Sequence, residues 1–249
     1  MINFCINLSL AHRLLPCVST EETRFYLNGV GVDPCTSGAR LAATDGHVLG
    51  CFRDRDAHGE FGETVPIVSR GAIADAFKAA KKAAKLDGKA HYWLIVEGAT
   101  IASALGRVVL APTATSAMSS REGERECPVL WRSAGAVLID GSFPGYKRVI
   151  PSEGFAIVRP KANTSPISWN PELIGRFNAV INPDPKAKAR GLTMISGCVE
   201  GDGPWLLLCA GLPEFVGVAM PMRGGAHADL MASARDMLDR SETFKMVDA

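Results

Sequence analysis

The sequence has little of what most catalytic and cofactor-binding chains carry. Its seven cysteines include no Cys-x-x-Cys pair, so neither a disulfide framework nor a common zinc spacing is indicated. The sequence also contains no glycine-rich phosphate loop and no cluster of metal-ligand residues. An odd number of cysteines is typical of a reducing cytoplasm, and we expect no metal and no cofactor.

An excess of charge is also missing. The chain carries 27 basic and 26 acidic residues, a net charge of +1 at pH 7, so it has no global field that would hold it on nucleic acid. Any contact with DNA must therefore be local. No apolar run reaches membrane-spanning length, and residues 1–8 show no basic leader before an apolar core. These features predict a cytoplasmic protein with no membrane partner.

The order of predicted elements is the clearest sign of organisation. With 249 residues, 47% of them hydrophobic, the chain can bury a core in one large or two small domains. A strand, a helix and several further strands follow one another three times, which indicates an α+β fold. Helices are predicted near Ala11, at 71–86 and at 171–181, and residues 112–132 are predicted to form a long loop. Strands are predicted at residues 1–8, 25–32, 39–52, 65–68, 91–97, 101–110, 136–140, 155–159, 192–199, 205–209 and 215–220.

The helix at 171–181 has the strongest signals. Asn170 is a good N-cap, Pro171 suits the first helical position, and Glu172 is favourable in the first turn. Apolar residues follow the i, i+1, i+4, i+7, i+8 pattern of one buried face. They are Leu173, Ile174, Phe177, Val180 and Ile181.

Four short segments, taken in order, resemble the bacterial sliding clamp, the beta subunit of DNA polymerase III. They are Arg24-Phe25-Tyr26-Leu27-Asn28-Gly29-Val30, Ala43-Thr44-Asp45-Gly46-His47, Phe143-Pro144-Gly145-Tyr146-Lys147-Arg148-Val149-Ile150-Pro151 and Met220-Pro221-Met222-Arg223. The resemblance is to a shortened form, because the family's first domain has no counterpart. It implies a DNA clamp fold of repeated β-α-β-β-β units. Residues 1–151 would form a two-unit domain and 152–223 a one-unit partial domain, followed by a helical tail at 224–249.

The resemblance further implies a pocket that captures linear peptides of DNA polymerases and clamp loaders. Methionine thioethers would let one pocket accept related peptides, and His47 and Arg148 would supply donors. An alternative is that these residues form the core where two domains meet. The predicted pocket residues are Leu27, Thr44, Gly46, His47, Val48, Leu49, Pro144, Arg148, Val149, Val218, Met220, Pro221 and Met222, with Arg223 at the rim.

A lysine stripe follows one face of the helix predicted at 71–86. Lys78, Lys81, Lys82 and Lys85 occur at i, i+3, i+4 and i+7, which confines them to an arc of roughly 100°. In the resemblance they contact the phosphates of double-stranded DNA without reading its sequence. The alternative is an ordinary solvated helix face.

A catalytic alternative rests on His47, Asp45 and Cys51, which suggest a Cys-His nucleophilic site. No helix N-terminus or oxyanion donor is predicted beside Cys51, so we expect a protein that is not an enzyme. The favoured function is a clamp-like replication or repair factor that binds partner peptides and tethers them to DNA, as a homo-oligomer. The alternative is a non-ring peptide-binding module, acting as a decoy or an assembly factor.

Overall fold

Two antiparallel β-sheets and the helices packed on them make up the described part of the chain. The structure is a computed structural model that describes residues 1–84, 90–120, 126–150, 167–184, 186, 188–196 and 203–222. The first sheet has five strands in the order β5-β1-β7-β8-β9, and the second has eight in the order β10-β6-β2-β3-β4-β13-β12-β11. The strands are β1 (Ile2–Asn7), β2 (Gly29–Pro34), β3 (Ala39–Thr44), β4 (Val48–Asp54), β5 (His58–Glu60), β6 (Ile67–Ser69), β7 (His91–Gly98), β8 (Leu105–Ala111), β9 (Val129–Arg132), β10 (Leu138–Ile139), β11 (Thr193–Ser196), β12 (Trp205–Leu208) and β13 (Phe215–Ala219).

Four α-helices occur among the described residues. They are α1 (Leu8–Arg13), α2 (Arg70–Ala83), α3 (Ala114–Ser119) and α4 (Pro171–Ile181). The main core lies between the helices and the two sheets, and its fully buried side chains include Phe4, Phe52, Phe177 and Phe215. The α+β prediction is therefore confirmed. None of the described helices has the length and apolarity that a membrane span requires.

The first two strand-helix-strand units exchange their first strands. Strand β1 pairs with β7 of the second unit, while β6 pairs with β2 of the first. Each sheet therefore contains strands from both units, and neither unit can bury its apolar face without the other. Strand β13 then pairs with β4, so the strands of the third unit continue the larger sheet.

Two predicted elements were wrong. Residues Phe25–Leu27 form a 3₁₀ helix rather than a strand, because the N–H groups of Leu27 and Asn28 donate to local carbonyls at 2.8 and 2.9 Å. The predicted loop at 112–132 contains helix α3 and strand β9. A capping box between Thr113 and Ser116 begins α3, and β9 pairs with β8 across a register shift.

Other differences concern the ends of elements. Helix α2 begins at Arg70 and ends at Ala83, before the predicted end at residue 86. Between the strands predicted at 39–52 and 65–68, the structure has the additional edge strand β5, which pairs with β1. The strand predicted at 155–159 and the helical tail predicted at 224–249 lie outside the described residues.

Helix α4 agrees with its predicted bounds. The side chain of Asn170 accepts a hydrogen bond from the N–H of Glu172 at 2.9 Å, as expected of an N-cap. The ring of Phe177 is fully buried, 6.3 Å from that of Phe215. Gly217 of β13 leaves the space for it, since a Cβ there would lie 2.7 Å from the Phe177 ring. This contact seats α4 on the larger sheet.

We predict that Phe177→Ala lowers the free energy of unfolding by about 3 to 5 kcal/mol, because a fully buried ring is replaced by a cavity. Phe25→Ala is the matched control, since that ring is 51% exposed, and we expect a loss of about 1 kcal/mol or less. Urea denaturation measures both variants. Equal losses at the two positions would contradict the packing of α4 described here.

Candidate functional site

An apolar cavity of about 340 Å³ lies where β4, β13 and residues 144–149 meet. Its lining comes from segments that are far apart along the chain. The lining residues are Arg24, Tyr26, Leu27, Thr44, Gly46, His47, Val48, Leu49, Pro144, Gly145, Tyr146, Val149, Val218 and Met220.

The floor of the cavity is built by the pairing of β4 with β13. Leu49 lies opposite Val218 in the antiparallel register, and both side chains are 3% exposed. Leu27, at the end of the 3₁₀ helix, is buried beside them. At the mouth, Val149 and Met220 are 41% and 39% exposed. The cavity is therefore sealed below and open to solvent above.

The turn between β3 and β4 forms one side of the cavity, and local hydrogen bonds fix its shape. The Thr44 hydroxyl donates to the carbonyl of Val48 at 2.7 Å and accepts from the N–H of Gly46 at 3.1 Å. Gly46 has a φ of +95°, in the left-handed region that favours glycine. The N–H of Met220 donates to the carbonyl of His47 at 3.0 Å. This bond holds the end of β13 against the turn.

Asp45 fastens the same turn to helix α4. Its carboxylate accepts hydrogen bonds from the N–H groups of His47 and Val48 at 2.8 and 2.9 Å. The other carboxylate oxygen pairs with the guanidinium of Arg176 at 2.5 Å. Because Arg176 lies on α4, this ion pair connects the third unit to the cavity.

Two opposing effects act on the pKa of Asp45. Burial disfavours the charged form, whereas the hydrogen bonds from Val48, His47 and Arg176 favour it. The hydrogen bonds prevail, so the pKa lies below its ordinary value of 3.8. The resulting stabilisation is complete above pH 3.8 and is lost as the pH falls through the lower pKa of the folded state.

Most of the predicted pocket residues are brought together by the fold. Those that line the cavity are Leu27, Thr44, Gly46, His47, Val48, Leu49, Pro144, Val149, Val218 and Met220. Arg148, Pro221 and Met222 are not part of its lining. Met222 is 53% exposed, and its N–H donates to the carbonyl of Ser168 at 2.9 Å. Arg223 lies outside the described residues.

Sequence reasoning missed four lining residues, namely Arg24, Tyr26, Gly145 and Tyr146. All four occur inside the segments that carry the family resemblance, so a signal for them was present. Gly46 leaves room for the Arg24 guanidinium, because a Cβ there would lie 2.8 Å from one of its nitrogens.

Three lysines of the stripe lie on the solvent side of α2. Lys78, Lys81 and Lys82 are exposed, whereas Ile73 and Ala80 are fully buried. Lys85 lies outside the described residues. Helix α1 packs beside α2, where the His12 and Phe77 rings stack at 3.8 Å.

A second cavity, of about 530 Å³, lies beside α1 and α4. Its lining includes His12 and Arg13 of α1, Arg70 of α2, and Asn178 and Asn182 at the end of α4. The first residue of α2 and the ends of α1 and α4 therefore meet around this depression.

The environment of Cys51 does not favour the catalytic alternative. The side chain is 6% exposed, and burial raises the pKa of the thiol to about 12. A nucleophilic cysteine needs the opposite shift, because the thiolate is the reactive form. Among the described residues, no group of three His, Cys, Asp or Glu side chains is placed to hold a metal.

Comparisons with known proteins point to one class, although no family model matches the chain. The curated beta sliding clamp of Caulobacter vibrioides is 30% identical over 146 residues, which cover 57% of this chain and 31% of that protein. A DnaN sliding clamp from Bartonella birtlesii, solved with bound griselimycin, superimposes with a TM-score of 0.55 at 19% identity, covering 90% of this chain and 66% of that one. The DNA polymerase III beta subunit of Pseudomonas aeruginosa gives a TM-score of 0.52 at 18% identity, with the same coverage of 90% and 66%.

These similarities show a DNA clamp fold, and the chain is similar in sequence to the beta sliding clamps that the four sequence segments indicated. The chain spans 31% of the length of the curated relative and 66% of each of the two solved structures.

We predict that Arg176→Gln lowers the free energy of unfolding by about 1 kcal/mol at neutral pH, because the partly buried Asp45 loses its charged partner. The difference from wild type should shrink below pH 3.8, as the pH falls through the lowered pKa of the Asp45 carboxylate in the folded state. This difference in unfolding free energy is measured by urea denaturation, at neutral pH and at the lowest pH that keeps the protein folded. Arg55→Gln is the control, since Arg55 is 63% exposed in its pair with Glu214. A loss for Arg176→Gln that does not change with pH would contradict this interpretation.

Proposed function

We propose that the protein is a clamp-like DNA replication or repair factor that is not an enzyme and binds short linear peptides in the cavity beneath Met220. The observation that carries the proposal is the assembly of one open apolar cavity from the Leu27, Thr44–Leu49, Pro144–Val149 and Val218–Met220 segments. The partners would be DNA polymerases or clamp loaders, in keeping with the sliding clamps to which the chain is similar.

The shape of the cavity favours apolar anchor residues in the ligand. Leu49 and Val218 would receive the buried end of an anchor, and Val149 and Met220 would close around it at the mouth. A cavity of about 340 Å³ is at the small end of ligand sites. It suits one or two side chains, such as a leucine and a phenylalanine, with the rest of the peptide at the surface.

The polar groups at the rim would orient the peptide. His47 is exposed beside the cavity, and the Arg24 guanidinium lies over Gly46. Both can donate hydrogen bonds to carbonyl or carboxylate oxygens of a bound chain. The affinity should be modest, on the order of micromolar, because a small apolar contact must offset the ordering of a flexible peptide.

We predict that Met220→Ala weakens the binding of a leucine- and phenylalanine-containing peptide roughly tenfold, since a flexible side chain at the mouth loses its contacts. Isothermal titration or fluorescence anisotropy of a labelled peptide measures the change. Met222→Ala provides a matched control two residues away, outside the cavity lining, and should have a smaller effect. An equal or larger effect of Met222→Ala would place the peptide elsewhere.

We also propose that the exposed face of α2 contacts DNA. Lys78, Lys81 and Lys82 project from a helix whose opposite face is fixed in the core by Ile73 and Ala80. Contacts of this kind with phosphates carry no sequence information. Such contacts suit a protein that moves along DNA while a partner peptide is held in the cavity.

We predict that replacing Lys78, Lys81 and Lys82 together by glutamine weakens binding to double-stranded DNA and flattens its salt dependence. The slope of log affinity against log salt should fall by roughly 0.9 for each lysine that contacts a phosphate. A control that removes the same charge elsewhere replaces Arg55, Lys186 and Lys188, all exposed. If the triple-lysine variant keeps the DNA affinity and the salt slope of the wild type, the stripe is only a solvated helix face.

The domain division belongs to the same proposal. Residues 1–151 would form one clamp-like domain, supported by the exchange of β1 and β6 between its two units. Residues 152–223 would form a partial domain attached through β13, followed by the tail at 224–249. A homo-oligomer would then arise through head-to-tail contacts between subunits.

A further inference from the structure

One wall of the cavity is attached to the sheet by side chains. The wall consists of residues 144–149, which contribute Pro144, Tyr146 and Val149 to the lining. The N–H groups of Tyr146, Arg148 and Val149 donate to the carbonyls of Pro144, Gly145 and Tyr146, all inside the wall itself. These bonds shape a 3₁₀ turn but do not fix its distance from the cavity floor.

Tyr146 supplies the connection to the floor. Its ring is 6% exposed and belongs to one buried cluster with Cys51 and the two floor residues, Leu49 and Val218. The hydroxyl reaches past this cluster and donates a hydrogen bond to the carboxylate of Asp33 at 2.7 Å. Burial and this bond raise the pKa of Tyr146, so the hydroxyl stays protonated and remains a donor.

One carboxylate oxygen of Asp33 contacts several side chains. The side chain lies near the end of β2 and is 6% exposed. The oxygen that accepts from Tyr146 also pairs with the ammonium of Lys147 at 2.7 Å and lies 3.6 Å from the Arg40 guanidinium. Two consecutive wall residues are therefore bound to the same atom of the sheet.

A close steric contact aligns the segment that leads into the wall. Gly31, two residues before Asp33 on β2, lies beneath the ring of Phe143, and a Cβ there would be 2.7 Å from that ring. The Phe143 and Tyr146 rings meet edge to face at 5.9 Å. Strand β2 therefore contacts the entry to the wall through the backbone of Gly31 and the central residue of the wall through the Asp33 side chain.

We propose that Asp33 is a positioning residue for the peptide-binding cavity, acting through Tyr146 and Lys147 to set the distance between the wall and the floor. This inference rests on the proposed peptide-binding function. Asp33 does not line the cavity, so it would not touch the ligand. Without the Asp33 carboxylate, the wall keeps its internal turn but is no longer held at a fixed distance from Leu49 and Val218. The wall then adopts several positions, of which only one leaves the cavity able to bind the peptide. Apparent affinity falls in proportion to the fraction of molecules that keep that shape.

The test uses Asp33→Asn and Tyr146→Phe, which keep side-chain volume and remove the charge or the hydroxyl. We expect each substitution to lower the affinity for a leucine- and phenylalanine-containing peptide roughly tenfold. The midpoint temperature of thermal unfolding should change little. The double variant should bind the peptide no more weakly than either single variant, because the two groups act as one unit. In the peptide-free protein, amide hydrogen exchange within residues 144–149 should accelerate, with β4 and β13 unchanged.

Matched controls come from buried groups of the same chemistry on other parts of the fold. Tyr92, 2% exposed, donates its hydroxyl to the carbonyl of Ala84 at 2.6 Å, and Asp54, also 2% exposed, accepts from the N–H of Asn7 at 2.7 Å. Tyr92→Phe and Asp54→Asn should leave peptide affinity unchanged, whatever they do to stability.

Each outcome has a defined meaning. Wild-type affinity and wild-type exchange in Asp33→Asn and Tyr146→Phe would overturn the positioning role. Equal losses of affinity in the Tyr92→Phe and Asp54→Asn controls would also overturn it, since the effect would then be general destabilisation. If the wild-type protein binds no peptide, the proposed function fails. The exchange rates of residues 144–149 still decide whether Asp33 holds the wall.

Discussion

The pairing of β4 with β13 is the interaction on which the candidate site depends. It aligns Leu49 with Val218 and Val48 with Ala219, across more than half of the chain length. The floor of the cavity is formed by this pairing, and the bond from the N–H of Met220 to the carbonyl of His47 continues it into the turn. Without that register, the mouth and the floor of the cavity would belong to separate surfaces.

Helix α4 and the β3–β4 turn reinforce this pairing from its two sides. Phe177 packs into the space above Gly217, and Arg176, its neighbour in sequence, binds Asp45 in the turn. One apolar contact from this helix therefore reaches β13, and one ionic contact reaches the turn that leads into β4. The ion pair is partly buried, so it fixes the orientation of the turn more than it adds to overall stability.

Local signals allowed part of this structure to be predicted from the sequence. The N-cap and apolar spacing of α4 are encoded within about a dozen residues, and the order of the strands follows from alternating apolar runs. The 3₁₀ helix at Phe25–Leu27 was missed because aromatic residues favour strands in general. The hydrogen bond from Tyr146 to Asp33 could not be predicted, because it joins residues 113 positions apart and depends on the packed fold. The placement of Met222 outside the cavity lining depends in the same way on long-range geometry.

The most direct test of the central claim is to locate a bound peptide by methyl NMR. Intermolecular NOEs from an isotope-labelled protein to an unlabelled leucine- and phenylalanine-containing peptide report distances under about 5 Å, the range of direct side-chain contact. We predict NOEs to the methyl groups of Leu49, Val218 and Met220 at the cavity. NOEs confined to methyl groups of the other sheet, such as those of the exposed Leu105, would contradict it.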